Sequence, residues 1–247
     1  MNPDQETQAR WRHASAEIAE YGRRLITDGL AYGTAGNLSC RVGDHVVISP
    51  TSIPYEDVEP DDLWVLSLDG SVVRDGTAGP SSETPFHLAI YAATKAAAVV
   101  HTHSAEVVAL SATLEYLPAI HYSIARLGGP VPVVTYRRFG SDTLAAGIQA
   151  AMCDLDRPRS AAILQNHGAV TYGSSLMEAY DKALMLEWLA RAYRLALQYG
   201  EPRILTTEEL DEVTAEARRR RYAMAQQDGA TNASAPNDSG AKDGGSR

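Results

Sequence analysis

Cysteine is nearly absent from this chain. Cys40 and Cys153 are the only two in 247 residues and have no CxxC spacing, which excludes a disulfide framework. Long apolar runs are missing too: no stretch approaches the roughly 18 apolar residues of a membrane span. The first residues, Met1-Asn-Pro-Asp-Gln-Glu-Thr-Gln, carry no apolar segment of the signal-peptide kind. Positive charge is scarce, with 22 Lys and Arg against 31 Asp and Glu for a formal net charge of -9. That balance argues against a general nucleic-acid binder, which needs a basic face. It leaves room for an anionic small substrate, since backbone N–H groups hold phosphate in acidic proteins as well. The expectation is a soluble cytoplasmic protein with no nucleic-acid or membrane partner.

What is present is ordinary globular material, 45% hydrophobic and 21% charged. The length suits one domain with an appendage. Residues 1–225 are expected to form that domain. From 226 to 247 the composition turns to Gly, Ala, Ser, Asn and Asp with almost no large apolar residue. Such a tail cannot repay its ordering entropy and is expected to be disordered.

Apolar residues at helical spacing (Trp11, Ala14, Ile18, Tyr21, Leu25, Leu30) predict a helix over 11–30, stopped near Asp28-Gly29. Leu38–Val42 and His45–Ser49 read as a hairpin turning at Gly43-Asp44, and Leu63–Leu68 as a further strand. Ser81-Ser82-Glu83-Thr84-Pro85 is a helix start, with hydroxyls before the helix and Pro in its first turn. That helix runs toward Lys95 and feeds the buried strand Ala98–His103. A short helix follows Ser104, and Pro130–Val134 reads as an edge strand because its prolines cannot serve a central ladder. Asp142–Met152 is helical, Ala161–Gln165 is a buried strand, and Leu176–Tyr199 is a long helix stopped by Gly200 and Pro202. A last helix runs from Thr206 to about Tyr222. Mixed, closely spaced elements point to an α/β or α+β layered domain.

The chemistry concentrates at His101-Thr-His103. Strand side chains alternate faces, so both imidazoles point the same way at a strand end. Side-by-side imidazoles suit a divalent ion of the zinc type; an isolated pair reads equally well as one structural histidine and one exposed one. His167, in Gln165-Asn166-His167-Gly168, is a natural third ligand at the end of a separate strand, leaving a fourth position open for substrate. Glu83 reads either as a helix-dipole carboxylate or as a base beside the metal. Gly33-Thr34-Ala35-Gly36-Asn37 is a glycine-rich turn whose N–H groups can converge on an anion, though it is neither a Walker loop nor a Rossmann fingerprint. Thr51, Ser52, Ser81 and Ser82 add loop hydroxyls that suit caps or a phosphate. His13, His45, His87 and His121 read as surface or core residues. Lys95 and Lys182 read as solvated, and Arg218–Arg221 as a solvated helix C-terminus.

The ordered segments GTAGN, SPTSIPYE, PSSETPFHLAIY, VVHTHS, PAIHY and LQNHG closely resemble the class II aldolase/adducin family, over about residues 10–220. The nearest likeness within it is to the L-fuculose-1-phosphate aldolases. The resemblance implies an αβα layered fold around a mainly antiparallel sheet, and a homotetramer with active sites at subunit interfaces. It implies one Zn2+ per subunit held by His101, His103 and His167, with Glu83 as acid/base. Phosphate would be held by Thr34, Gly36, Asn37, Thr51, Ser52, Ser81 and Ser82. Tyr122 matches a residue that reaches a neighbour's site and serves the aldehyde oxygen, and Tyr222 is the candidate for a C-terminal tyrosine with a part in the reaction. The implied activity is zinc-dependent retro-aldol cleavage of a ketose 1-phosphate to dihydroxyacetone phosphate and an aldehyde. A sugar-acid phosphate decarboxylase would use the same chemistry, as would a pentulose-phosphate 4-epimerase, whose pattern carries Asp in place of Glu83. A methylthioribulose-phosphate-type dehydratase ranks below both. A non-enzymatic adducin-like interaction domain would keep the fold without the metal ligands. Two departures stand out: the aldolase motif has Gly where this chain has Ser52, and His where it has Asn166.

Overall fold

The computed structural model describes residues 3–153 and 158–233, with side chains between 4 and 220. Helix α1 (Pro3–Thr27) leads into the hairpin β1 (Asn37–Val42) and β2 (His45–Ile48), then β3 (Trp64–Ser67) and β4 (Val72–Arg74). Next come α2 (Thr84–Ala93), β5 (Ala98–Thr102), α3 (Ala105–Ser111), β6 (Tyr116–Leu117) and β7 (Val131–Val134). The chain continues through α4 (Asp142–Met152), β8 (Ala161–Leu164), β9 (Gly168–Gly173), α5 (Leu176–Tyr199) and α6 (Thr207–Ala233). Nine strands form one sheet in the order β4-β3-β2-β1-β5-β9-β8-β7-β6. Every pair is antiparallel except β7 with β8.

Strand alternation decides which layer each side chain serves. Leu38, Val47, Ala98 and Val100 pack with Ile18 and Leu25 of α1 and with Tyr180 and Ala183 of α5. Their sequence neighbours Val46, Ile48 and Val99 pack on the other face, with Phe86, Ile90 and Tyr91 of α2 and Ile148 of α4. A third cluster joins α3 and α5 over β8 and β9 through Val107, Leu110, Ile163, Ala169 and Leu189. The result is the expected αβα sandwich around a mainly antiparallel sheet. Strand β5 lies at its centre and is buried at all five positions.

Four expectations need correction. The Pro130–Val134 segment is not the edge, because β6 pairs outside it, with Tyr116 opposite Pro132. The proline is accommodated because the parallel ladder to β8 uses only Val133 and Val134, while the Val133 N–H donates to Glu115 O at 2.9 Å. Lys182 is buried rather than solvated. Its ammonium donates to Tyr172 O at 3.0 Å and pairs with Glu178 at 2.9 Å, so α5 carries a satisfied charge against β9. Helix α1 begins earlier than its apolar stripe, opening with Asp4 and Glu6 at the dipole's positive end. Helix α6 continues past Tyr222 to Ala233. The arginine run therefore lies inside that helix, where Arg219 and Arg220 both pair with Glu216 at 2.7 Å. The rest of the tail, 234–247, and the Tyr222 side chain lie outside the described residues.

Candidate metal centre and active site

Four elements deliver their ends to one place. His101 leaves β5 on the face toward α2, its ring edge-on to Phe86 at 5.4 Å. His103 follows two residues later, its N–H anchored to Leu30 O at 2.8 Å. His167 sits in the turn between β8 and β9, after Asn166, whose φ of 55° is left-handed. Asparagine enters that region more readily than most residues do, which suits it to the position. Glu83 is the residue from which α2 starts.

One ligand atom from each of Glu83, His101, His103 and His167 lies within 4.8 Å of all the others. His101 Nε2 is 2.9 Å from Glu83 Oε2 and 2.9 Å from His103 Nε2, and His167 Nε2 is 3.3 Å from Glu83 Oε1. His101 Nδ1 lies 2.8 Å from Ala169 O. A carbonyl only accepts, so Nδ1 carries a proton and Nε2 faces inward. There it would offer a lone pair to a bound metal, the arrangement usual for a metal-bound histidine, or carry the proton that charges His101 when no metal is there. Lone pairs and a carboxylate so arranged repel unless a cation stands among them. Glu83 Oε1 is buried without a hydrogen-bond partner. The donor set of three imidazoles and a carboxylate, open on one side, suits a zinc-type ion.

The electrostatics agree. Burial disfavours charge on Glu83, but His101 beside it, His167 and the Asn37 amide outweigh that and hold the carboxyl well below its usual range. Burial also disfavours charge on His101, and the Glu83 carboxylate reverses this, raising its pKa. His103 and His167 are pushed down to about 3 and about 4, by burial first and the charge on His101 second. They are therefore neutral imidazoles at neutral pH, able to act as ligands.

Beside the cluster opens a cavity of about 320 Å³. Thr34, Gly36, Asn37, Thr51, Ser52, Ser81 and Ser82 all line it, together with Glu83, His103 and His167. His101 closes the centre from beneath, fully buried. The Ser49–Ser52 and Gly79–Ser82 loops are tied by Thr51 N–H to Gly79 O at 2.9 Å and Ser81 N–H to Ser49 O at 3.1 Å. Ser52, where the resembling motif has Gly, has a φ of 60° in the left-handed region that favours glycine. Asn37 does more than line the wall: its Nδ2 donates to Glu83 Oε2 at 2.9 Å.

Tyr122 is not among the cavity's lining residues. It starts a short 3-10 helix, Tyr122–Leu127, is 57% exposed and holds its ring 4.4 Å from that of His121, tilted by 32°. Sequence reasoning missed Tyr136, Arg137 and Phe139, which line the cavity from the loop after β7. The signal there is Gly140, with φ 66° and room for no β-carbon, which would stand 2.6 Å from Ser82 O. His87 is more than a surface or core residue. It is fully buried and bonds to Asn37, not merely to core.

Residues 16–194 match the family model described as the class II aldolase and adducin N-terminal domain. The 5-deoxy-D-ribulose 1-phosphate aldolase of Bacillus thuringiensis serovar kurstaki is 35% identical over 198 residues, which is 79% of this chain and 91% of the relative. A solved L-fuculose 1-phosphate aldolase superposes with a TM-score of 0.79 at 32% identity, over 83% of this chain and 96% of that one. YgbL of Klebsiella pneumoniae, described as a putative aldolase/epimerase/decarboxylase, gives a TM-score of 0.74 at 31% identity, over 82% and 98%.

Proposed function

The chain belongs to the class II aldolase and adducin family, and from that premise we propose a zinc-dependent aldehyde-lyase that cleaves a ketose 1-phosphate to dihydroxyacetone phosphate and an aldehyde. L-Fuculose 1-phosphate and 5-deoxyribulose 1-phosphate, the substrates in the relatives' names, define the class. The observation carrying this reading is the convergence of Glu83, His101, His103 and His167 on the edge of a cavity walled by hydroxyl and amide donors and by Arg137.

His101, His103 and His167 would hold the ion. When bound, a divalent ion of this kind supplies Lewis acidity toward a carbonyl oxygen, stabilising the negative charge that develops as an enediolate forms. The hydroxyls of Thr34, Thr51, Ser52, Ser81 and Ser82 and the N–H groups of the Gly36 turn grip the phosphate. That remote binding orients the C3–C4 bond toward Glu83. In cleavage the C4 hydroxyl gives up its proton as the C3–C4 bond breaks, and C3 takes up one proton. Glu83, ionised and buried at the cavity wall, is the group that handles the proton at C3. Tyr122, exposed on its own subunit, would serve the C4 hydroxyl of a neighbour's site in a homotetramer. The two free thiols of Cys40 and Cys153 fit a reducing cytoplasm.

A second reading, decarboxylase or 4-epimerase, is favoured by the likeness to YgbL. Glu83, where the epimerase pattern carries Asp, supports the lyase instead, and the intact donor set argues against a non-enzymatic adducin-like role. The test is a panel of fuculose, rhamnulose, ribulose and 5-deoxyribulose 1-phosphates, with ribulose 5-phosphate and a 4-phosphorylated oxo-acid as controls. Release of dihydroxyacetone phosphate is expected; epimer or CO₂ formation in its place overturns the lyase.

A further inference from the structure

A run of buried polar side chains leads away from Glu83 into the core. Asn37 Nδ2 donates to Glu83 Oε2 at 2.9 Å, and Asn37 Oδ1 lies 2.5 Å from His87 Nε2. On the far side of that ring, His87 Nδ1 is 2.7 Å from Ser39 Oγ, which is 2.8 Å from the Tyr91 hydroxyl. Asn37, Ser39, His87 and Tyr91 are 5%, 0%, 0% and 2% exposed, so bulk water satisfies none of them. The geometry is a meeting of two stripes. Asn37 and Ser39 share one face of β1 at strand spacing, while Glu83, at the N-cap of α2, and His87 and Tyr91 within it recur every four residues.

Every proton in this run has one consistent place. The carboxylate can only accept, so the Asn37 amide must turn Nδ2 toward Glu83 and Oδ1 toward His87. An amide oxygen also only accepts, so His87 carries its proton on Nε2. Its Nδ1 then accepts from Ser39, and Ser39 accepts from Tyr91. Burial holds the His87 ring neutral, with its pKa pushed down to about 3 by burial first and His101 second, so it offers one donor and one acceptor. All four bonds point the same way, each polarising the next toward the carboxylate.

We propose that His87, backed by Ser39 and Tyr91, is a positioning residue for the Glu83 carboxylate, acting through the orientation of the Asn37 amide. The inference rests on Glu83 being the group that handles the substrate proton. No proton travels along the run. Its work is to forbid the flipped amide, which would set Asn37 Oδ1 against the carboxylate and release Glu83 from the place where it meets both the histidines and the cavity. A core serving stability alone would fill these positions with apolar side chains at no desolvation cost.

The test has two arms on the full-length chain. In ¹⁵N-histidine-labelled, metal-free protein, NMR should show His87 as the Nε2–H tautomer, with a downfield Hε2 resonance that moves in Glu83→Ala. An Nδ1–H tautomer, or a resonance indifferent to Glu83→Ala, overturns the proposal. In the metal-loaded enzyme, His87→Phe keeps the ring but loses both nitrogens. It should lower kcat by about 10-fold or more, the usual scale for groups that orient a metal site's residues, with KM changed less than about threefold. His87→Gln, which restores an N–H near the ring Nε2, should recover much of that loss. A raised KM with kcat intact, or equal losses in Phe and Gln variants, overturns it. Should His87→Phe fail to fold, Ser39→Ala and Tyr91→Phe must show the same kcat-selective loss in smaller steps. A wild-type enzyme that cleaves no ketose 1-phosphate would defeat the proposed function, and the NMR arm would then decide the positioning role alone.

Discussion

At position 36 a β-carbon would stand 2.8 Å from the carbonyl oxygen of His101, in a backbone with φ of 79°. Glycine there does two things: it permits the left-handed turn and lets β1 start directly against β5, where Asn37 pairs with His101. Gly33, in the same turn, has φ of 57° but open space around the missing side chain. The two positions separate strain from contact. Gly33→Ala should cost only the left-handed penalty, about 1–2 kcal/mol, and keep full metal stoichiometry. Gly36→Ala adds a collision between strands, for about 2–5 kcal/mol in all, and should lose bound metal because His101 is displaced. Urea midpoints and metal analysis of the two variants measure this; equal metal content in both would refute the role given to the close approach. The histidines themselves were readable from HxH spacing and from His167 at a strand end. His87 was not, because an imidazole on the apolar face of a helix looks like ordinary core until Asn37 is known to lie opposite.

Helix α3 starts at Ala105, two residues after His103, so the order of its first turn governs the candidate ligand that follows β5. Its Ser104 cap makes no side-chain hydrogen bond. Instead Glu187, reaching from α5, accepts the N–H groups of Glu106 and Val107 at 3.0 Å each, and Arg194 clamps Glu106 from the same helix. Glu187→Ala leaves two part-buried donors unmet and should destabilise the protein by about 1–3 kcal/mol. Glu187→Gln, with one acceptor oxygen left, should lose less. Amide exchange at Glu106 and Val107 should quicken in the Ala variant, and unchanged protection there would show that the cap is dispensable. This tertiary cap has no signature in sequence, since its partners lie 81 and 80 residues apart. The elements legible beforehand carried local signals: Gly43-Asp44 for the β1–β2 hairpin, Pro85 for the start of α2, Gly200 for the end of α5. Strands β4, β6 and β9 escaped for physical reasons. The first two are three and two residues long. The third is bounded by Gly168 and Gly173, and only the close approach of Gly168 to Thr102 O shows that the first of these glycines belongs to a strand rather than to a turn.

The chain is negatively charged overall, -9, yet the proposed phosphate wall is built mainly of neutral donors, with Arg137 the cationic side chain that lines the cavity. Thr34, Thr51, Ser52, Ser81 and Ser82 are neutral donors on loops held by three layers of structure. An ion held by the cluster at the end of β5 would add positive charge to that of Arg137, and gathering three imidazoles and a carboxylate there costs the fold stability. That cost makes metal and global stability one quantity. An ion present at 100 times its dissociation constant stabilises the folded state by about 2.7 kcal/mol. For a domain of this size each kcal/mol moves the midpoint by about 2–4 °C, so stripping the ion should lower Tm by about 5–11 °C. The identity of the restoring ion is the sharper readout. Imidazole nitrogen favours zinc-type ions, whereas magnesium prefers oxygen donors and keeps its water. Chelator-treated protein should therefore recover its Tm with Zn2+ or Co2+ and not with the same concentration of Mg2+. His103→Ala should show the lowered Tm from the start and no recovery. Equal recovery with Mg2+, or a Tm that chelation leaves unmoved, would overturn the assignment of a zinc-type ion to these four side chains.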